Sequence, residues 1–139
     1  MKVTALLLAA VLMTACATQE QAAEQSTQDT AQAVRDYIDV RQLEEVDRLS
    51  TSQRDRWEPL DQHFLLYEGR RETYLVEFSR RCWELDDYSR IVADERRGDS
   101  YIYARFDTIR GCRINRIFAL TEHEIAELES IGEAVGSRN

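Results

Sequence analysis

Residues 112–124 read CRINRIFALTEHE, and the hydrophobic pattern changes within them. Cys112, Ile114, Ile117, Phe118 and Leu120 describe an apolar strand up to Leu120. Thr121-Glu122-His123-Glu124 is then a capping box: the Thr121 hydroxyl can accept from the Glu124 amide while Glu124 reaches back to the Thr121 amide. Leu120 and Ile125 stand at the positions of a hydrophobic staple. Ile125, Leu128, Ile131 and Val135 form one helical stripe, and Gly136 can end the helix. A strand that leads straight into an amphipathic helix places the helix against the sheet, which sets an α+β class.

Upstream, the pattern is β. The segment 100–109, SYIYARFDTI, alternates Ile102, Ala104 and Phe106 with Tyr101, Tyr103 and Arg105, and reads as one strand after a turn signal at Gly98-Asp99. Gly111 makes a short link to the last strand. In TYLVEFS, residues 73–79, Tyr74, Val76 and Phe78 alternate with Thr73, Leu75 and Glu77. The run Phe64 to Tyr67 precedes it across EGRRE, so the two read as a hairpin turning at Gly69. Residues 31–49 are ambiguous. Ala31, Val34, Tyr37 and Ile38 share a helical face, which favours helix over about 30–40, and the residues that follow fit either helix or strand. The expected fold is mainly β: a small antiparallel sheet or partly open barrel of about five to six strands, a C-terminal helix packed on it, and an N-terminal helical or disordered tether.

That tether is residues 16–33, a stretch rich in Gln, Ala, Thr and Glu that lacks the apolar side chains a core needs. Ahead of it, Lys2 is followed by an apolar run from Ala5 to Met13 and then by Thr14 and Ala15, the order of an export signal over residues 1–15. The run is shorter than the roughly 20 residues a spanning helix requires. Leu12-Met13-Thr14-Ala15-Cys16 resembles a bacterial lipobox. That resemblance implies lipidation of Cys16, and Ala17 in place of Asp implies the outer membrane, with residues 34–139 as a single domain on its periplasmic face. The anchor would be buried acyl chain, at about 0.8 kcal/mol per methylene.

The whole chain carries a net charge of −8, and loss of Lys2, its single lysine, leaves the mature part more acidic. Such a chain is a poor partner for nucleic acid, whose binding draws on basic charge. Cys82 and Cys112 remain as an even pair in an oxidising compartment and read as a disulfide. Redox catalysis lacks a Cys-x-x-Cys. A zinc site would need His63 or His123, and neither has ligand spacing. No cofactor or metal is expected.

WEPLDQHFLLY, YLVEF before Cys82, RFDTI and CRINRIFALTEHE together resemble an uncharacterised family of small proteobacterial lipoproteins, a domain of unknown function, over about residues 36–130. The resemblance implies a mainly β domain with bridged cysteines and no established activity. It also makes YIDVRQL, residues 37–43, a first strand.

Chemistry is sparsely marked. Asp61 with His63 could act as an oriented general base, but residues two apart share a strand face in any case, and no nucleophile elbow accompanies them. His123 and Glu127 stand at i, i+4 without the second histidine of a zinc protease. Asp86-Asp87 and Asp107 have no glycosidase spacing. The double arginines 70–71, 80–81 and 96–97 could bind phosphate or cell-wall carboxylates, although Arg takes the place of Lys throughout this composition. Among the aromatics, Tyr101 and Tyr103 with Arg105 form the expected exposed patch. The sequence therefore points to a lipid-anchored, non-catalytic binding or structural module whose partner is an envelope protein or the cell wall. A small periplasmic hydrolase using Asp61 and His63 is the alternative.

Overall fold

The computed structural model describes residues 14–51, 56–69, 71–86 and 101–136. Outside them lie the signal segment before Thr14, Arg70, Asp87, Tyr88, Arg96-Arg97 and the turn signal at Gly98-Asp99. The side chains of Cys16 and Val135 also lie outside the description.

Helix α1 (Thr14–Arg41) comes first, followed by β1 (Glu44–Val46), β2 (Arg48–Ser50), β3 (Arg56–Pro59), β4 (Phe64–Glu68) and β5 (Thr73–Phe78). A 3-10 turn at Trp83–Asp86 precedes β6 (Tyr101–Tyr103), β7 (Thr108–Ile109), β8 (Cys112–Leu120) and α2 (Glu122–Gly136). The main sheet is antiparallel and open, in the order β1-β8-β5-β4-β3, with β7 also paired to β8. β2 and β6 form a separate two-stranded sheet. The class is mainly β with a helix at each end, as expected, and the six strands of the main sheet match the five or six read from sequence, with the two-stranded sheet as an addition.

β4 and β5 are buried along nearly their whole length because both faces of the sheet are covered. On one face Leu65, Tyr67, Tyr74, Val76, Phe78, Ile114 and Ile117 pack against Leu49 and Ile102 of the small sheet and against Cys82 and Cys112. On the other face Phe64, Leu66, Leu75 and Phe118 pack against Ala31, Val34 and Ile38 of α1 and Leu128 of α2. The C-terminal helix packs as expected and begins with the expected capping box: Glu124 accepts from the Thr121 amide at 2.7 Å, and its own amide approaches the Thr121 hydroxyl at 3.4 Å.

The tether, expected as helical or disordered, is helical, and Thr30 and Ala31 near its end are buried. Two readings are corrected. YIDVRQL is not a strand. Residues up to Arg41 stay helical, Gln42 takes a left-handed φ of 51°, and the Leu43 amide donates to the Ile38 carbonyl at 3.3 Å, a Schellman closure with Leu43 and Ile38 in one apolar cluster. SYIYARFDTI is two strands rather than one. Arg105 turns at φ 68°, the Asp107 carboxylate accepts the Tyr103 amide at 2.8 Å, and Phe106 is 75% exposed instead of buried.

The other turns follow the sequence. Arg110 and Gly111, both at positive φ, make the two-residue link between β7 and β8, where Ile109 pairs with Cys112. At Gly69 the turn after β4 closes so tightly that a Cβ would stand 3.0 Å from the Glu72 carbonyl oxygen. Register shifts once, between Glu77 and Phe78: Glu77 pairs with Arg116 and Phe78 with Ile114, leaving Asn115 as the bulged residue.

Candidate functional site

The small sheet stands against the β4–β5 hairpin because the Tyr67 hydroxyl donates to the Ser50 carbonyl at 2.8 Å and Leu49 and Ile102 insert into the core beneath. Between the two lies a groove of about 530 Å³ lined by Arg48, Ser50, Gly69, Arg71, Glu72, Tyr74 and Tyr101. Its walls come from alternation. Leu49 and Ile102 are cross-strand partners facing in, so their neighbours Arg48, Ser50, Tyr101 and Tyr103 face out, paired Arg48 with Tyr103 and Ser50 with Tyr101. The Arg48 guanidinium stands 4.3 Å over the Tyr101 ring and hydrogen-bonds Tyr103. Opposite, the Tyr74 hydroxyl donates to the Glu72 carboxylate. Burial, reinforced by that carboxylate, pushes the Tyr74 phenol up to about 12, so it is neutral across the physiological range.

Of the expected patch, the structure brings Tyr101 into the groove, 42% exposed, and keeps Tyr103 half-buried beside it as the partner of Arg48. It separates Arg105, which lies past the end of β6 and pairs with Glu45 at 2.9 Å. Arg48, Ser50, Glu72 and Tyr74 were not singled out by sequence. Their common signal is the out-facing phase of short strands, legible only once the pairing of β2 with β6 is known.

A second polar cluster surrounds Asp61 and His63. Asp61 lies in the β3–β4 turn, where its Oδ1 accepts from the amides of His63 at 2.6 Å and Phe64 at 2.7 Å, an Asx-type turn. Its Oδ2 is 3.9 Å from His63 Nδ1, and both atoms are buried without a hydrogen-bond partner. Burial raises the Asp61 pKa and lowers that of His63. On the helix side the buried Glu77 accepts from Arg116 Nε at 2.7 Å and Asn115 at 3.1 Å, and pairs with Arg35 of α1 at 3.5 Å. The bulge on β8 is what lets two consecutive residues reach one carboxylate. These bonds explain Glu77 as a tie between α1, β5 and β8. Gln62 meanwhile accepts from Arg81.

Several other candidates have structural partners. Glu127 is 3.5 Å from His123 but also accepts from Tyr37 and Arg41 of α1, both at 2.6 Å. Hydrogen bonding from Tyr37 first, then Arg41, lowers the Glu127 pKa, while burial and this contact raise Tyr37 to about 12. Asp107 holds the turn after β6, and Asp86 closes the 3-10 turn. Trp57 packs against Tyr67 at 4.3 Å, and Trp83 lies under Arg81 at 4.1 Å. Cys82 and Cys112 are joined as a disulfide with Cα atoms 5.7 Å apart. Glu84 approaches the Cys112 sulfur at 3.2 Å, which gathers Cys82, Glu84 and Cys112 into a metal-like set. With the sulfurs bonded to each other, that set offers no thiolate to an ion.

The model of a family of unknown function, DUF6491, matches residues 1–133. No curated protein and no solved structure matches the chain.

Proposed function

The chain belongs to the family of unknown function DUF6491, and on that premise we propose that it is a lipid-anchored envelope protein whose folded part is a non-catalytic binding module facing the periplasm. The groove between the small sheet and the β4–β5 hairpin carries this reading. Its size falls within the range of ligand sites, roughly 300–1,000 Å³, and its polar groups converge from three strands and a turn. The anchor rests on the lipobox-like ending at Cys16. Ala17 after it favours the outer membrane, with an envelope protein or the cell wall as the partner. The hydrolase alternative would have Asp61 orient His63 through a hydrogen bond. At 3.9 Å that bond is not made, and Oδ1 is already held by two amides.

Two measurements test the proposal. Cys16→Ser moves the protein from the membrane pellet to the soluble envelope fraction; retention in the pellet overturns the anchor. A photo-crosslinking amino acid placed at Glu72, in the groove, captures an envelope component in living cells, whereas one placed at Glu58 on β3 does not. Equal capture from both positions, or none from Glu72, removes the groove as the binding site.

A further inference from the structure

The arginines of this chain differ in what they hold. Arg35 and Arg116 pair with Glu77, Arg41 with Glu127, Arg56 with Glu68 and Arg105 with Glu45. Five of the eleven described arginines thus hold a carboxylate, in a chain with 26 acidic residues against 18 basic ones. Arg48, Arg71, Arg80 and Arg113 hold none among the described residues. Of these four, Arg48 and Arg71 come from different elements, β2 and the β4–β5 turn, and line the same groove. The acid in the lining, Glu72, accepts from Tyr74 rather than from either arginine.

We propose that the groove binds an acidic small ligand, or the acidic tip of a larger one, through its carboxylate or phosphate oxygens, with Arg48 and Arg71 as the recognising groups. The proposal rests on the binding reading above and names its ligand chemistry. A guanidinium offers paired donors that match the two oxygens of a carboxylate or phosphate. Arg48 is held in place by the Tyr101 ring and the Tyr103 hydroxyl, so less side-chain freedom is lost when it engages a ligand. The Tyr101 ring, still 42% exposed, adds apolar surface beside the charge. The volume exceeds what a bare ion fills, so the acidic group belongs to a larger molecule. The overall negative charge of the chain opposes anions at long range, which makes the affinity depend on these two side chains.

The test uses the full-length protein in neutral detergent, with calorimetry and amide NMR. The probes are a muramyl dipeptide with free carboxylates, the same molecule with its carboxylates amidated, and inorganic phosphate. The expected result is that the acidic dipeptide shifts the amides of Ser50, Gly69 and Glu72, and that the amidated form does not. Arg71→Gln then weakens binding about tenfold or more, the scale of one charge-assisted hydrogen bond. Arg71 lies exposed on a turn and is free of packing duties, so this variant keeps its fold; Arg48→Lys, which retains charge but loses the fork, is the companion. Phosphate that displaces the dipeptide and binds more tightly identifies a phosphate ligand, and phosphate without effect identifies a carboxylate one; either supports the proposal. Equal binding of the amidated form with the same amide shifts overturns the acidic ligand while leaving the groove intact. Failure of every probe at millimolar concentration also overturns it, and capture from Glu72 then decides separately whether the groove binds anything.

Discussion

At the scale of single residues, Asp61 and His63 show how position outweighs type. Their spacing is plain in the sequence; the burial of both is not, because it is imposed by the packing around the β3–β4 turn. The neutral imidazole is the form this fold favours. His63 has a depressed pKa, so its contribution to stability is complete above its ordinary value of about 6.5 and is lost as pH falls through the lowered one. Asp61 has the opposite sign: burial raises its pKa, its contribution is complete below about 3.9, and it is lost as pH rises through the raised value. Arg35 and Arg81 oppose a charge on His63, while Asp61 and Glu77 favour it. The wild-type melting temperature should therefore fall by roughly a few degrees more than that of His63→Gln between pH 7 and pH 5. Parallel melting curves across that window would show that the proton on His63 is indifferent to folding. Arg48 and Arg71 illustrate the converse. Nothing in DRLS or GRRE marks an arginine that has no carboxylate partner among the described residues, since pairing is decided by neighbours remote in sequence.

At the scale of elements, legibility followed the regularity of the pattern. The α2 capping box, the hairpin at Gly69 and the link at Gly111 were read correctly because each depends on residues within a turn of one another. The ambiguity over residues 36–49 arose because the segment contains three elements in succession: the end of α1, then β1, then β2. Its division point is Gln42, a non-glycine residue in the left-handed region, which ordinarily costs about 1–2 kcal/mol. Gln42→Gly should accordingly raise the unfolding free energy by up to about 1 kcal/mol in urea titration; a loss of stability would mean that the Gln42 side chain contributes more than its backbone costs. CRINRIFAL alternates imperfectly because Asn115 is a bulge. Ile114 and Ile117, three apart, therefore face the same core, which a strict period of two forbids. SYIYARF misled for a related reason: its alternation continues through a turn that Asp107 holds by side-chain and main-chain bonds to Tyr103.

At the scale of the whole molecule, the class was readable and the layering was not. The continuous burial of β4 and β5 requires cover on both faces, and one of those covers is the helix whose polar composition had suggested a loose tether. Only its last turns carry Ala31, Val34 and Ile38, too few to mark it as core. The disulfide contributes at this scale. It closes a sequence separation of 30, for which chain entropy gives about 3–4 kcal/mol. Cys82→Ala with Cys112→Ala should lower the unfolding free energy by about that amount in urea titration, and a change under about 1 kcal/mol would show that the bridge adds nothing to sheet packing. The length of α1 carries one more consequence. From Cys16 to Arg41 the helix rises about 37 Å at 1.5 Å per residue, and its C-terminal part is fastened to the sheet by Val34 and Ile38 and to α2 through Glu127. With Cys16 as the proposed point of attachment, α1 would be the spacer between the lipid and the folded part, fastened to the face of the sheet opposite the groove. Each residue added or removed between Cys16 and Thr30 would then change the length of that spacer by about 1.5 Å and rotate its far end by about 100° about the helix axis relative to Cys16, so the length of this unassuming segment would bear on which neighbours the groove can reach.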